Sequence, residues 1–187
     1  MNVTVNPQHF QVKVFALAPW PADIGGAIPV FHRWIRQGAL PELLIDVADY
    51  HHVPAGPGIL LVAHEAHYSL DLRGNRLGLQ YARRAALEGT TESKLRQAID
   101  AAVHACRRLE SEPEFAGRLR FNTGELEIRV NDRLLAPNIA QTWEALRPAF
   151  TACLDAIWGC GGYRVRHSGD ARELLTVQAT AGDLLPA

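Results

Sequence analysis

Ile59-Leu60-Leu61-Val62-Ala63-His64-Glu65-Ala66-His67-Tyr68-Ser69-Leu70-Asp71-Leu72, then Arg73-Gly74, then Arg76-Leu77-Gly78-Leu79-Gln80-Tyr81-Ala82-Arg83-Arg84 is the stretch that decides the fold. The first run reads as one long strand, and Arg73-Gly74 is a two-residue turn signal. The second run returns antiparallel, with Leu77, Leu79 and Tyr81 on one face. Upstream, Glu42 to Val53 reads as another strand and Pro54-Ala55-Gly56-Pro57-Gly58 as a tight loop. The expectation is an antiparallel meander of three strands.

Outward from the meander, Phe10 to Leu17 has the period of a largely buried strand, closed by Pro19 and Pro21. Asp23 suits an N-cap, and Ile24, Ile28, Phe31 and Ile35 recur at helical spacing up to Gly38. Thr90 or Thr91 caps a second helix whose apolar residues Leu95, Ile99, Ala102, Cys106 and Leu109 step by three and four. A hairpin is expected around Asn122-Thr123-Gly124, where apolar Leu119, Phe121, Leu126, Ile128 and Val130 alternate with charged neighbours. Asn138 with Gln141 resembles a capping box for a third helix carrying Ile139, Trp143, Leu146, Phe150, Cys153 and Ile157, with Pro148 expected to kink it. A last hairpin, Tyr163 to His167 and Glu173 to Ala179, turns at Ser168-Gly169-Asp170.

These elements make one α+β domain over residues 1–187, a mostly antiparallel sheet with about three helices. Residues 10–72 and 125–179 share the order strand, helix, hairpin, and are linked by strand-helix-strand over 75–122. That order is similar to tandem β-α-β-β, ferredoxin-like units. The matching text, Ala16-Leu17-Ala18-Pro19 against Leu134-Leu135-Ala136-Pro137, fits internal duplication and convergence equally well.

Hydrophobic residues at 48% and charged residues at 21% are globular values, so a packed core is expected. A net charge of -1 without a basic cluster gives no reason to expect nucleic acid or an anionic membrane as partner. The preference for arginine, with Lys13 and Lys94 the only lysines, fits the coding bias of a GC-rich genome. Met1 to Phe10 lacks the charged start and apolar run of a secretory signal, and Gly58 to Ala63 is too short to span a bilayer, so a cytoplasmic location is expected. Cys106, Cys153 and Cys160 have no C-x-x-C spacing and read as reduced thiols. Phosphate loops, dinucleotide fingerprints and nucleophile elbows are absent from the sequence, and no cofactor is expected.

Symmetric turns at Ala55-Gly56 and Arg73-Gly74 set Val47 opposite His64 and His64 opposite Arg83. One face then carries Ile45, Val47, Leu60, Val62, Ala66, Tyr68, Leu77, Leu79 and Tyr81, together with Asp49, His51, His64 and Arg83. Burying such charges requires partners. Two readings stand: a structural ion cluster at the rim of the core, or the polar end of a pocket. In the second, Asp49 orients His64 as a general base, Arg83 holds an anionic group, and Tyr68 and Tyr81 line the wall.

The opposite face, with Asp46, Ala48, Leu61, Ala63, Glu65, His67, Ser69, Gln80 and Arg84, reads as a solvated surface, a subunit interface, or a weak metal or acid-base site at Asp46, Glu65 and His67. His64-Glu65-Ala66-His67 is one residue short of the helical zinc motif and sits in a strand, so its imidazoles point apart and no metal centre is expected. His51-His52 is likewise weakened by strand alternation. Arg133 and Asn138 flank the third helix, either as turn chemistry or as an anion site at its N-terminus. The functional expectation is a ligand-binding, regulatory or assembly protein, with a homodimer and a small anionic ligand as the expected partners; the alternative is a small enzyme using Asp49, His64 and Arg83 on an anionic small molecule.

Overall fold

A computed structural model describes residues 5–54 and 56–182. The elements are β1 (Phe10–Ala16), α1 (Ala27–Gln37), β2 (Leu44–Tyr50), β3 (Gly58–Ala63), β4 (Ala66–Asp71), a 3-10 turn at Arg73–Asn75, β5 (Gly78–Arg83), α2 (Thr91–Glu110), β6 (Phe121–Val130), α3 (Ala140–Trp158), β7 (Tyr163–Ser168) and β8 (Leu175–Ala181). The fold is α+β: three helices and one eight-stranded antiparallel sheet of order β2-β3-β4-β5-β1-β6-β8-β7. No helix among the described residues is long and apolar enough to cross a membrane.

The local signals explain most of these elements. Alternation along β1 sends Phe10, Val12 and Val14 into the core and Lys13 to the opposite face. α1 ends where Gly38 adopts the left-handed conformation, φ 58°, and Ala39 N–H bonds the Trp34 carbonyl. Thr90 caps α2 by accepting the Ser93 N–H, and Glu92 in the first turn with Arg107 and Arg108 in the last complement the helix dipole. α2 lies on β1, β5 and β6, α3 packs on α2 and β7, and α1 covers β2 and β3. Trp34, Tyr68, Tyr81, Phe10, Phe31 and Phe150 belong to one continuous core beneath them.

Three expectations are corrected. The run Ile59–Leu72 is two strands, because the chain turns at His64-Glu65 and β4 folds back on β3, pairing Leu61 with Tyr68 and Val62 with His67. The apolar phase shows why: Ile59, Leu61 and Ala63 are buried at odd positions, Ala66, Tyr68 and Leu70 at even ones. Arg83 accordingly lies opposite Ala66, and Val47 lies opposite Leu61 because the β2-β3 pairing is centred on Pro54, so neither is opposite His64. Leu61 and Ala63 join the core while Leu60 and Val62 take the other face. The expected hairpin at Asn122-Thr123-Gly124 is an irregularity inside β6: Phe15 pairs with Asn122, Val14 with Leu126, and Asn122 accepts the Gly124 N–H at 3.0 Å. The N-cap position of α3 is Ile139, with no side-chain capping bond, rather than Asn138.

Among the described residues, the face away from the core holds one buried ion pair. Lys13 Nζ donates to Asp71 Oδ1 at 2.5 Å and to the carbonyls of Arg73 and Arg76. Asp71 is on β4 and Lys13 on β1, so the lysine crosses β5, and Gly78 gives it passage: a Cβ there would stand 2.5 Å from Lys13 Cε. Beside it, Arg76 makes a paired bridge to Glu125 at 2.7 Å and lies over the Phe15 ring at 3.8 Å.

Candidate functional site

The residues singled out from the sequence fall into separate places. Tyr68, Tyr81 and Arg83 do converge, at the buried end of the β4-β5 pair. Tyr68 donates to Glu42 Oε2 at 2.7 Å, its ring meets Tyr81 edge-on at 5.2 Å, and Gln97 of α2 donates to the Tyr81 hydroxyl at 3.0 Å. Burial, then the bond to Glu42, raises the Tyr68 pKa, so it is a neutral donor at any physiological pH. Arg83 donates through Nε to the Ala85 carbonyl. The two hydroxyls and the Arg83 Nε are thus each used in hydrogen bonds within the fold.

His64 is not part of that group. It sits in the β3-β4 turn with its side chain 68% exposed and meets Glu65 at 3.4 Å. Asp49 lies opposite Ile59, five residues along β3 from His64 or about 16 Å, so the two do not meet. The expected Asp49, His64 and Arg83 constellation is therefore not assembled.

Asp46, Glu65 and His67 do not converge within metal-ligand spacing among the described residues. His67 Nε2 faces Arg84 at 2.9 Å, and burial followed by that cation lowers the His67 pKa, which keeps the imidazole neutral. Arg133 donates to the Arg172 carbonyl. Asn138 is buried and straps the start of α3 to the β7-β8 turn: Nδ2 donates to the Asp170 carbonyl at 2.8 Å, and Oδ1 meets His167 Nε2 at 2.8 Å. Trp143 stacks on that imidazole at 5.0 Å. The Asn138 side chain is thereby used in holding the fold.

A different set forms a concavity with convergent polar groups. Ile99 faces the sheet as part of the buried stripe of α2, and the flank next to it presents Arg96, Asp100, Val103, His104 and Arg107. These positions recur at three and four residues, so they share one side of the helix. The end of α3 brings Ile157 and Trp158 alongside, and the irregular part of β6 brings Thr123, Gly124 and Leu126. Together they enclose a groove of about 640 Å³. Its floor is apolar and its rim carries two guanidiniums, one imidazole and one carboxylate.

The guanidiniums of Arg96 and Arg107 have no salt bridge or hydrogen bond among the described residues. They stand eleven positions apart on the helix, about 16 Å along the axis, while His104 is one turn from Arg107. Arg107 and Thr123 also line an adjoining recess that reaches Arg120. The strong polar end is thus the Arg107, His104 and Thr123 end. The sequence carried its spacing, but without α3 and β6 beside it the stripe reads as an ordinary solvated helix face.

The last cluster lies where β2 ends. Asp49 Oδ1 accepts the His51 N–H at 2.9 Å and meets His51 Nδ1 at 2.6 Å, and His52 follows with its ring 6.1 Å from that of His51. The backbone bond, then the imidazole, lowers the Asp49 pKa and keeps it ionised. A scan of the whole chain against protein-family models finds no match, and a search of curated proteins finds no relative.

Proposed function

We propose that this protein binds a small anionic ligand with an apolar body in the groove between α2, the end of α3 and the irregular part of β6. The observation that carries the reading is the pair of unpartnered guanidiniums, Arg96 and Arg107, on the rim of a 640 Å³ groove floored by Leu126, Ile157 and Trp158. A carboxylate or phosphate docks at Arg107, His104 and Thr123, and its apolar portion covers Val103, Ile157 and Trp158. Arg96 closes the far end. Asp100, between the two arginines, opposes a polyanion and favours a ligand with one charged terminus.

Calorimetric titration with phenyl phosphate and with octanoate tests this. Binding that weakens by about 10- to 150-fold in Arg107→Gln is expected, the effect of losing a charge-assisted hydrogen bond of about 1.5–3 kcal/mol. Absence of binding by either probe, or an Arg107→Gln protein that binds equally well, refutes the reading.

We also infer an assembly role through self-association. Leu134 is 99% exposed beside Leu135 and Ile139, and with Pro137 and Pro148 they border a second apolar recess. The order β6-β8-β7 supports a ferredoxin-like half for 125–179, whereas in the first half β4, together with β5 of the linking segment, stands between β1 and the β2-β3 hairpin. The free thiols of Cys106, Cys153 and Cys160 support the cytoplasmic reading.

A further inference from the structure

We propose that Asp49, His51 and His52 form a three-ligand site for a divalent first-row transition-metal ion, with zinc as the ion to test. The site is distinct from the α2 groove and does not depend on ligand binding there. One donor atom from each of the three residues lies within 4.8 Å of the other two. Small rotations bring such a triangle to the 2.0–2.2 Å bond lengths that zinc makes with imidazole nitrogen and carboxylate oxygen.

Local structure accounts for the convergence. Asp49 and Tyr50 are the last paired residues of β2, held against Ile59 and Gly58. Asp49 and His51 are two residues apart and so leave the strand on the same side. The chain then turns, with the Val53 N–H bonding the Tyr50 carbonyl at 2.9 Å, and strand alternation no longer separates His51 from His52. The base of this loop depends on Gly58, whose φ is +67° and whose Cβ, if present, would lie 2.1 Å from the Leu70 carbonyl oxygen. The ligands therefore stand on a loop whose root is fixed by the sheet.

The donor set selects the class of ion. Two imidazoles and one carboxylate suit zinc, cobalt, nickel or copper, and disfavour magnesium and calcium, which take oxygen. Three protein ligands leave coordination positions open for water or a ligand. His51 also lines a cavity of about 280 Å³ shared with Tyr50, Asp23 and Arg73, so an oxygen anion bound to the metal would find a guanidinium on the same cavity wall. Asp23 is occupied in accepting the Gly25 N–H.

The experiment uses full-length, tag-free protein stripped with a chelator and titrated with zinc against a chromophoric competitor. One equivalent per chain is expected, with affinity reduced more than about tenfold in His51→Ala and in His52→Ala, since loss even of a group supporting a ligand has that effect. His32→Gln, on the exposed side of α1, should bind as wild type. Circular dichroism establishes that the variants are folded. In parallel, imidazole ¹⁵N spectra of the wild type should show the His51 and His52 resonances moving on zinc addition, a readout that needs no variant. Sub-stoichiometric binding, binding that survives the His51→Ala/His52→Ala double variant, or unmoved His51 and His52 resonances each overturn the proposal.

Discussion

Replacing Lys13 by methionine removes the ammonium from the buried pair while keeping a side chain of similar length. Lys13 is 2% exposed and Asp71 0%, and Asp71 Oδ2 has no hydrogen-bond partner even in the intact protein. Without the lysine, Oδ1 keeps only the Arg73 N–H at 2.9 Å, and the carbonyls of Arg73 and Arg76 lose their donor. Breaking a buried pair by removing one partner costs about 3–5 kcal/mol. Each kcal/mol moves the midpoint of a domain this size by about 2–4 °C, so a fall of roughly 6–20 °C is expected. Burial lowers the Lys13 pKa even though Asp71 pulls it upward. Desolvation thus outweighs the attraction, so the pair as a whole adds little or no stability, and the penalty lies in the carboxylate left behind. Differential scanning calorimetry of Lys13→Met, Asp71→Asn and the double variant separates these effects. The double variant should recover at least half of the loss. A Lys13→Met midpoint within about 3 °C of wild type, or a double variant as unstable as the single, refutes the argument.

His64→Ala should leave a urea melt unchanged within about 0.5 kcal/mol, because its side chain is largely exposed; a larger fall would restore the register in which His64 is buried. Glu114, held by bonds from Arg33 at 2.9 and 2.8 Å, titrates at about 2 instead of 4.5. A depressed carboxyl contributes stability above its ordinary pKa and loses it as pH falls from about 4.5 toward 2. Arg33→Gln should flatten that acid limb in pH-dependent melts and return the Glu114 carboxyl to its ordinary range by NMR titration. Leu134→Glu should yield monomer in light scattering under conditions where the wild type is dimeric; a wild-type monomer at high concentration removes the self-association reading.

Of the candidate chemistry, little was legible before the elements were brought together. Tyr68, Tyr81 and Arg83 were placed near one another because their alternation survives a register shift of two. Asp49 and His64 share a neighbourhood only if the β2-β3 loop is symmetric about Ala55-Gly56, whereas the pairing of Val47 with Leu61 and Asp49 with Ile59 is centred on Pro54. Arg96, His104 and Arg107 lie on one side of α2, yet a helix face becomes a groove only when another element stands beside it.

The sequence by itself determined the α+β class, the single antiparallel sheet, the three helices and their signals at Thr90 and Gly38, because those are carried by periods of 2.0 and 3.6 residues and by capping chemistry within one turn. Only the tertiary structure decided the turn at His64-Glu65, which contains no glycine, proline or asparagine and is marked only by a jump in the phase of buried residues. It also decided that Lys13 reaches across Gly78 to Asp71, and that α3 and β6 flank Arg107. Strand register and helix docking are fixed by how whole faces pack against one another, and that information is spread over residues far apart in the chain rather than written in any one stretch.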